Sequence, residues 1–295
     1  MTNKQLIIEL GFLGLLALLW GSSFMWISIG VQTIPPITLA AIRVVVASIV
    51  IGSVMFMRGQ KLPREPKLLY QLFVLAMIGS IIPWVSLAWG QQYVNSALAS
   101  VLNSTSPIWV LFITVLFLKG DNPPVLKMLG AGLGFCGVVL IIGTDALSGL
   151  GDHIWGQLAV LMGAILYGCT SIYGRRFHDV QNTVTAASTS ILSALFLVPL
   201  SFLVDEPMSL SPSTASLGAV LMLGVFSTGF ALLIYFRLLK SLGSLGVASQ
   251  AYLRAGVGVG LGVFVLGETI TTTVGIGIVI ALLGAVLINL PLRAK

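Results

Sequence analysis

Apolar runs of 18 or more residues, almost free of charge, recur from one end of the chain to the other. At 1.5 Å per residue, each is long enough to cross a hydrocarbon core of about 30 Å. Within that core a backbone N–H or C=O finds no water. A spanning segment must therefore be a helix or part of a closed β-barrel. The alternating pattern of a membrane barrel is absent. The sequence thus predicts an all-α, polytopic membrane protein. Only 8% of the 295 residues are charged and 57% are apolar, where a soluble domain carries about a quarter charged.

Ten spans are expected, over 8–30, 38–57, 69–90, 96–118, 125–143, 155–174, 183–204, 215–238, 245–266 and 273–292. Turn chemistry separates them, as at Pro35-Pro36, Asn122-Pro123-Pro124 and Glu206-Pro207. The first apolar run is too long for a signal-peptide core and reads as a retained span. A net charge of +6 does not imply nucleic acid, because the basic residues collect at alternate loops. With the N-terminus inside, Lys4, Arg58, Lys61, Arg64, Lys67, Lys119, Lys127, Arg175, Arg176, Arg237, Lys240, Arg293 and Lys295 are cytoplasmic, which is 13 of the 15. Asp145, Asp152, Asp205, Glu206 and Glu268 fall on the other side. This is the positive-inside pattern, and both termini are expected in the cytoplasm. Arg43 and Arg254 lie within spans. Cys136 and Cys169, also within spans, are expected to pack as small apolar side chains rather than form a disulfide.

The chain repeats itself at an offset of 147 residues. Trp20-Gly21 falls on Tyr167-Gly168, Ser23 on Thr170, Thr38 on Thr185, Ser80 on Ser227 and Asn103 on Gln250. Gly120, Gly130 and Gly137 fall on Gly267, Gly277 and Gly284. The expected units are 1–147 and 148–295. Each holds five spans, an odd number, so the second must enter the membrane from the opposite side. Inverted five-helix halves are a recurrent transporter architecture, with substrate bound near midplane between the halves.

Several stretches carry a family resemblance: LLWGSSF (18–24), MRGQKLP (57–63), FLKGDNPPVLKMLGAGLGFCGVVLI (117–141) and VLGETITTTVGIGIVIALLGAVLI (265–288). They resemble the drug/metabolite transporter superfamily, in particular its EamA-domain members with ten spans, over essentially the whole chain. Among these the chain looks like the YddG-type exporters of aromatic amino acids. Such proteins commonly end helices 4 and 9 in Gly-Glu. Gly267-Glu268 keeps that pair, whereas Gly120-Asp121 departs from it. A proline is usual near 254–255, where this chain has Arg254-Ala255.

Trp20 and Tyr167 lie near midplane in equivalent spans, with Ser23 and Thr170 on the same helix faces at i+3. A hydroxyl in hydrocarbon needs a partner. These faces either line a cavity or serve close helix packing, in which Ser bonds its own helix. Asn103 with Pro107, and Gln250 with Arg254, are i,i+4 pairs at equivalent places. Pro107 is expected to kink its helix. Arg254, expensive at such depth, either meets helix carbonyls and water or holds an anionic group. Arg43, about five residues into span 2, is expected to reach the outer interface. Trp84 and Tyr252 complete the candidate substrate-binding set of Trp20, Ser23, Trp84, Asn103, Pro107, Tyr167, Thr170, Gln250, Tyr252 and Arg254. The GxGxxG at Gly132–Gly137 follows no strand and reads as helix-packing glycine, as do Gly256, Gly258, Gly260 and Gly262.

No paired carboxylates, metal set or nucleophile with its base share a depth, which argues against a membrane enzyme, and no cofactor is expected. The leading expectation is a secondary transporter exporting aromatic or other large neutral amino acids by alternating access. Rings would stack on Trp20, Tyr167 or Trp84 and the carboxylate would meet Arg254. The alternative is a proton-coupled exporter of lipophilic or cationic drugs. Four-helix relatives use a membrane glutamate in span 1 for that purpose, and LLALLWGSSF has none. The expected partners are a small-molecule substrate and the lipid bilayer of a bacterial inner membrane. Oligomeric state, coupling ion and direction stay open, a monomer included.

Overall fold

The computed structural model describes residues 3–118, 123–142, 152–257 and 271–290. Among them eight helices are long and apolar enough to span a membrane, and Val125–Ile141 is a shorter apolar helix. The first span is α1 (Asn3–Gly21) and α2 (Ser23–Gly30), and the second is α3 (Pro36–Met57). The third joins α4 (Pro66–Ala76) to α5 (Ile82–Gly90) through a π-helical turn, Met77–Ile81. Next come α6 (Ser96–Asn103), α7 (Ser106–Phe117) and α8 (Val125–Ile142). The second half holds α9 (Ile154–Tyr173) and α10 (Asn182–Val204). It continues through α11 (Thr214–Gly224), a π-helical turn at Val225–Phe230, and α12 (Ala231–Ala248). Helical residues 250–257 form α13, and α14 is Thr272–Asn289. The expected span over 245–266 is thus described only as far as Val257. Gly120-Asp121 and Gly267-Glu268 lie outside the described residues, as do Gly258, Gly260 and Gly262.

In two pairs of corresponding helices, α3–α10 and α8–α14, the partners run antiparallel, as inverted copies must. At one end of the α3–α10 pair, the Thr38 N–H and hydroxyl donate to Asp205 (2.7 and 2.8 Å). At the other end the Arg58 guanidinium donates to the Thr183 hydroxyl (2.9 Å). Thr38 and Arg58 are 147 residues before Thr185 and Asp205, so the two clips are near mirror counterparts. The α8–α14 pair behaves likewise. A Cβ on Gly130 would lie 2.9 Å from the Gly284 carbonyl oxygen, and one on Gly137 would lie 2.8 Å from that of Gly277. Only hydrogen fits where the backbones approach this closely, which explains the glycine spacing. Gly132 of the same motif meets nothing within 4 Å and contributes no packing, and the same is true of Gly256. The pseudo-twofold axis passes beside Ser104, whose hydroxyl donates to the Ala251 carbonyl (3.2 Å), its own counterpart 147 residues on.

The two π-helical turns occupy overlapping equivalent places: Met77–Ile81 maps onto 224–228, and the second turn is Val225–Phe230. A π turn inserts one residue into the helical ladder and re-aims the backbone carbonyls around it. Pro107 breaks its span as expected: α6 and α7 are separated at Ser104–Thr105. The Asn103 carbonyl, deprived of the amide that proline lacks, accepts from the Ser106 hydroxyl instead. Both cysteines are free, and Cys136 lies exposed on the outer surface rather than packed inside.

Candidate functional site

A narrow central cavity lies between the halves, lined among others by Trp20, Ser80, Trp84, Tyr167, Thr170, Tyr235, Gln250 and Arg254. A smaller space adjoins it beyond Trp20, Tyr167 and Arg254, which line both, and includes Ser23, Phe24, Arg43 and Leu87. The first π turn lends Gly79 and Ser80 to the wall, and carbonyls of both turns anchor helices that line it. The Trp20 indole Nε1 donates to the Ser227 carbonyl in the second turn (2.9 Å). The Thr170 hydroxyl donates to the Ile78 carbonyl in the first (2.9 Å). Each half therefore pins its aromatic or hydroxyl-bearing helix to a carbonyl that the other half's π turn exposes. Ser23, the counterpart of Thr170, turns back to the Trp20 carbonyl (2.6 Å). The Trp20 and Tyr235 rings pack at 5.4 Å between centroids.

Arg254 spans the symmetry. Its Nε donates to Gln250 Oε1 (2.6 Å) and its Nη1 to Asn103 Oδ1 (2.8 Å). Those two amides are one another's counterparts, so the guanidinium is held by one group from each half. Its Cζ stands 5.4 Å from the Trp20 ring centroid. The Asn103 Nδ2 is buried without a partner among the described residues. An arginine at a helix centre costs about 2.5–3.5 kcal/mol on insertion scales. Two neutral amides and a ring face offset part of that cost and leave the charge uncancelled.

Arg43 departs from the sequence expectation. It does not reach the outer interface; it is 3% exposed. Its Nε donates to the Thr228 hydroxyl (2.6 Å), and its Cζ lies 4.1 Å over the Trp84 ring. As the eighth residue of α3 it stands about 10 Å along the helix from Pro36. The helix start is itself covered by the Asp205 clip, so the side chain turns inward. Tyr167 is within electrostatic reach of both guanidiniums. Among the described residues neither has a carboxylate partner; the ion pairs there are Arg237–Glu9 (2.8 Å) and His178–Asp179 (3.1 Å).

Of the ten candidate residues, Trp20, Trp84, Tyr167, Thr170, Gln250 and Arg254 line the central cavity, and Ser23 lines the adjoining space. Asn103 touches Arg254 from behind. Pro107 is buried at the start of α7 and acts through the break it causes. Tyr252 is placed elsewhere: fully buried in the α8–α14 cluster, it donates its hydroxyl to the Ala131 carbonyl (2.9 Å). The residue two positions before Arg254 in a helix points away from it. Tyr235 and Ser80 also line the cavity, though neither belongs to the candidate set. Ser80 was legible through its pairing with Ser227.

Residues 8–143 and again 154–290 match the EamA-like transporter family. The chain is 27% identical over 290 residues to the uncharacterized inner membrane transporter YedA of Escherichia coli (strain K12), covering 98% of this chain and 93% of that protein. It is 24% identical to the uncharacterized transporter YoaV of Bacillus subtilis (strain 168), over 76% and 77% of the two chains. Protein PagO of Salmonella typhimurium is 23% identical over 95% and 94%. A crystal structure superposes with a TM-score of 0.75 at 20% identity, covering 96% of this chain and 98% of the other. The fold, the paired halves and these matches agree: the chain is a multi-pass membrane transporter, not an enzyme, and belongs to the EamA-like transporter family.

Proposed function

We propose that the protein carries small organic metabolites with a carboxylate and an aromatic or bulky apolar body, exporting them across a bacterial inner membrane by alternating access between its halves. The single observation that carries this reading is Arg254. A buried guanidinium held by neutral amides from both halves, beside ring-lined walls, offers a carboxylate an uncancelled charge at the junction that rocking would move. The nearby Asn103 Nδ2 supplies an unused donor. Rings of Trp20, Trp84 and Tyr235 suit an aromatic or branched body. Aromatic and other large neutral amino acids are the first class to test. Lipophilic cations suit the site poorly, because two guanidiniums repel them.

The test is flux in proteoliposomes across a panel of amino acids, organic acids and lipophilic cations, with and without a pH gradient. The reading expects carboxylate-bearing members to move and cations not to. Movement of cations alone, dependent on a proton gradient, would replace it with the drug-exporter alternative.

A further inference from the structure

Aromatic amino acids satisfy Arg254 and the ring walls but leave Arg43 unanswered. Arg43 is buried, oriented by Thr228 and backed by the Trp84 face. Its two terminal amino groups make no hydrogen bond among the described residues. It opens on the same adjoining space as Arg254 and Tyr167. The two arginines also break the internal symmetry. The counterpart of Arg43 is Ser190 and that of Arg254 is Pro107. Two cations contributed by different halves therefore converge on one side of the cavity, with no acid between them among the described residues. A structural pair would be expected to bring its own carboxylate, since an unpaired buried charge is costly.

We infer that the transported class carries net negative charge: a small organic acid with two acidic groups, one met by Arg254 and the second by Arg43. A zwitterion brings an ammonium into a space that already holds two positive charges. A dianion cancels both, and its aromatic or apolar body lies against Trp20 and Trp84. This inference rests on the carboxylate-transport reading above and narrows it.

Three ligands sharing a benzyl group separate the possibilities: L-phenylalanine (net zero), 3-phenylpropionate (one negative charge) and benzylmalonate (two). Their affinities for the purified full-length protein are read from quenching of tryptophan fluorescence and checked as counterflow in phosphatidylethanolamine–phosphatidylglycerol vesicles. Benzylmalonate is expected to bind about tenfold or more tighter than phenylalanine, as a charge-assisted contact implies. Arg43→Gln is expected to bring the benzylmalonate-to-phenylpropionate ratio down towards one. Phenylalanine binding as tightly as benzylmalonate overturns the inference while leaving the carboxylate reading intact. A ratio unmoved by Arg43→Gln does the same. Binding and flux of none of the three overturns the underlying reading and the inference with it. Where Arg43→Gln does not fold, the wild-type order alone decides.

Discussion

The α8–α14 seam and the Trp20–Tyr167 region obey the same pseudo-twofold relation and use it in opposite ways. At the seam, Gly130 and Gly137 meet Gly284 and Gly277 across backbones too close for any side chain. A helix pair packed on backbone is poorly suited to separate and close. In the cavity the equivalent residues are a tryptophan and a tyrosine, and the helices that carry them are pinned to π-turn carbonyls through one hydrogen bond each, from Trp20 in one half and from Thr170 in the other. Single bonds of this kind are worth about 0.5–1.5 kcal/mol each, small enough to exchange during a conformational cycle. The seam is built to hold and the cavity wall to be rearranged.

The largest effect is expected where the seam is forced open. Gly137→Leu must displace the backbone of α14, and overpacking of this kind reaches about 3 kcal/mol or more. The expected outcome is a markedly lower melting temperature in detergent, with flux lost alongside it. A normal melting curve would show that the seam is looser than its geometry implies. Next in size is Arg254→Ala, on the cavity side. It is expected to cut flux about 10- to 100-fold, in line with loss of a charged hydrogen-bond partner. The melting temperature should move far less than in Gly137→Leu. Equal damage to stability would make Arg254 a structural strut. The smallest effects sharpen the comparison within the cavity wall. Trp20→Phe removes the bond to the Ser227 carbonyl and is expected to lower flux by several-fold. Thr170→Val should cost less, because the Thr170 hydroxyl also bonds the Leu166 carbonyl of its own helix (2.7 Å) and the cross-half bond is shared. The reverse order would show that the two halves contribute differently from what their contacts imply.

Much of this was readable in the residues. Long uncharged runs fixed the class, and the 147-residue register identified the facing pairs. Trp20 with Ser23, and their counterparts Tyr167 with Thr170, pointed to a polar face that the structure turns into the cavity and the space beside it. The proline break also followed from local chemistry. Other features were not readable. The π turns lie in MIGSI and VFSTGF, ordinary helix compositions in which nothing marks the inserted residue. Arg43 was visible as a charge in a span, but its depth depends on how the α3 start is covered by Asp205, a contact 167 residues distant. Tyr252 was placed by its aromatic type; the side-chain direction set by its neighbour Arg254 argued the other way, towards the glycine seam.

The central claim is that two inverted copies lie antiparallel around the cavity, and the α3–α10 pair tests it most directly. In a background carrying Cys136→Ser and Cys169→Ser, two double-cysteine variants, Thr38→Cys/Asp205→Cys and Arg58→Cys/Thr183→Cys, are treated with a short bismaleimide. A third variant, Thr38→Cys/Thr183→Cys, joins opposite ends of helices about 30 Å long. The account predicts efficient cross-linking in the first two and none in the third. Cross-linking of Thr38→Cys to Thr183→Cys, with the other pairs unreactive, would contradict it.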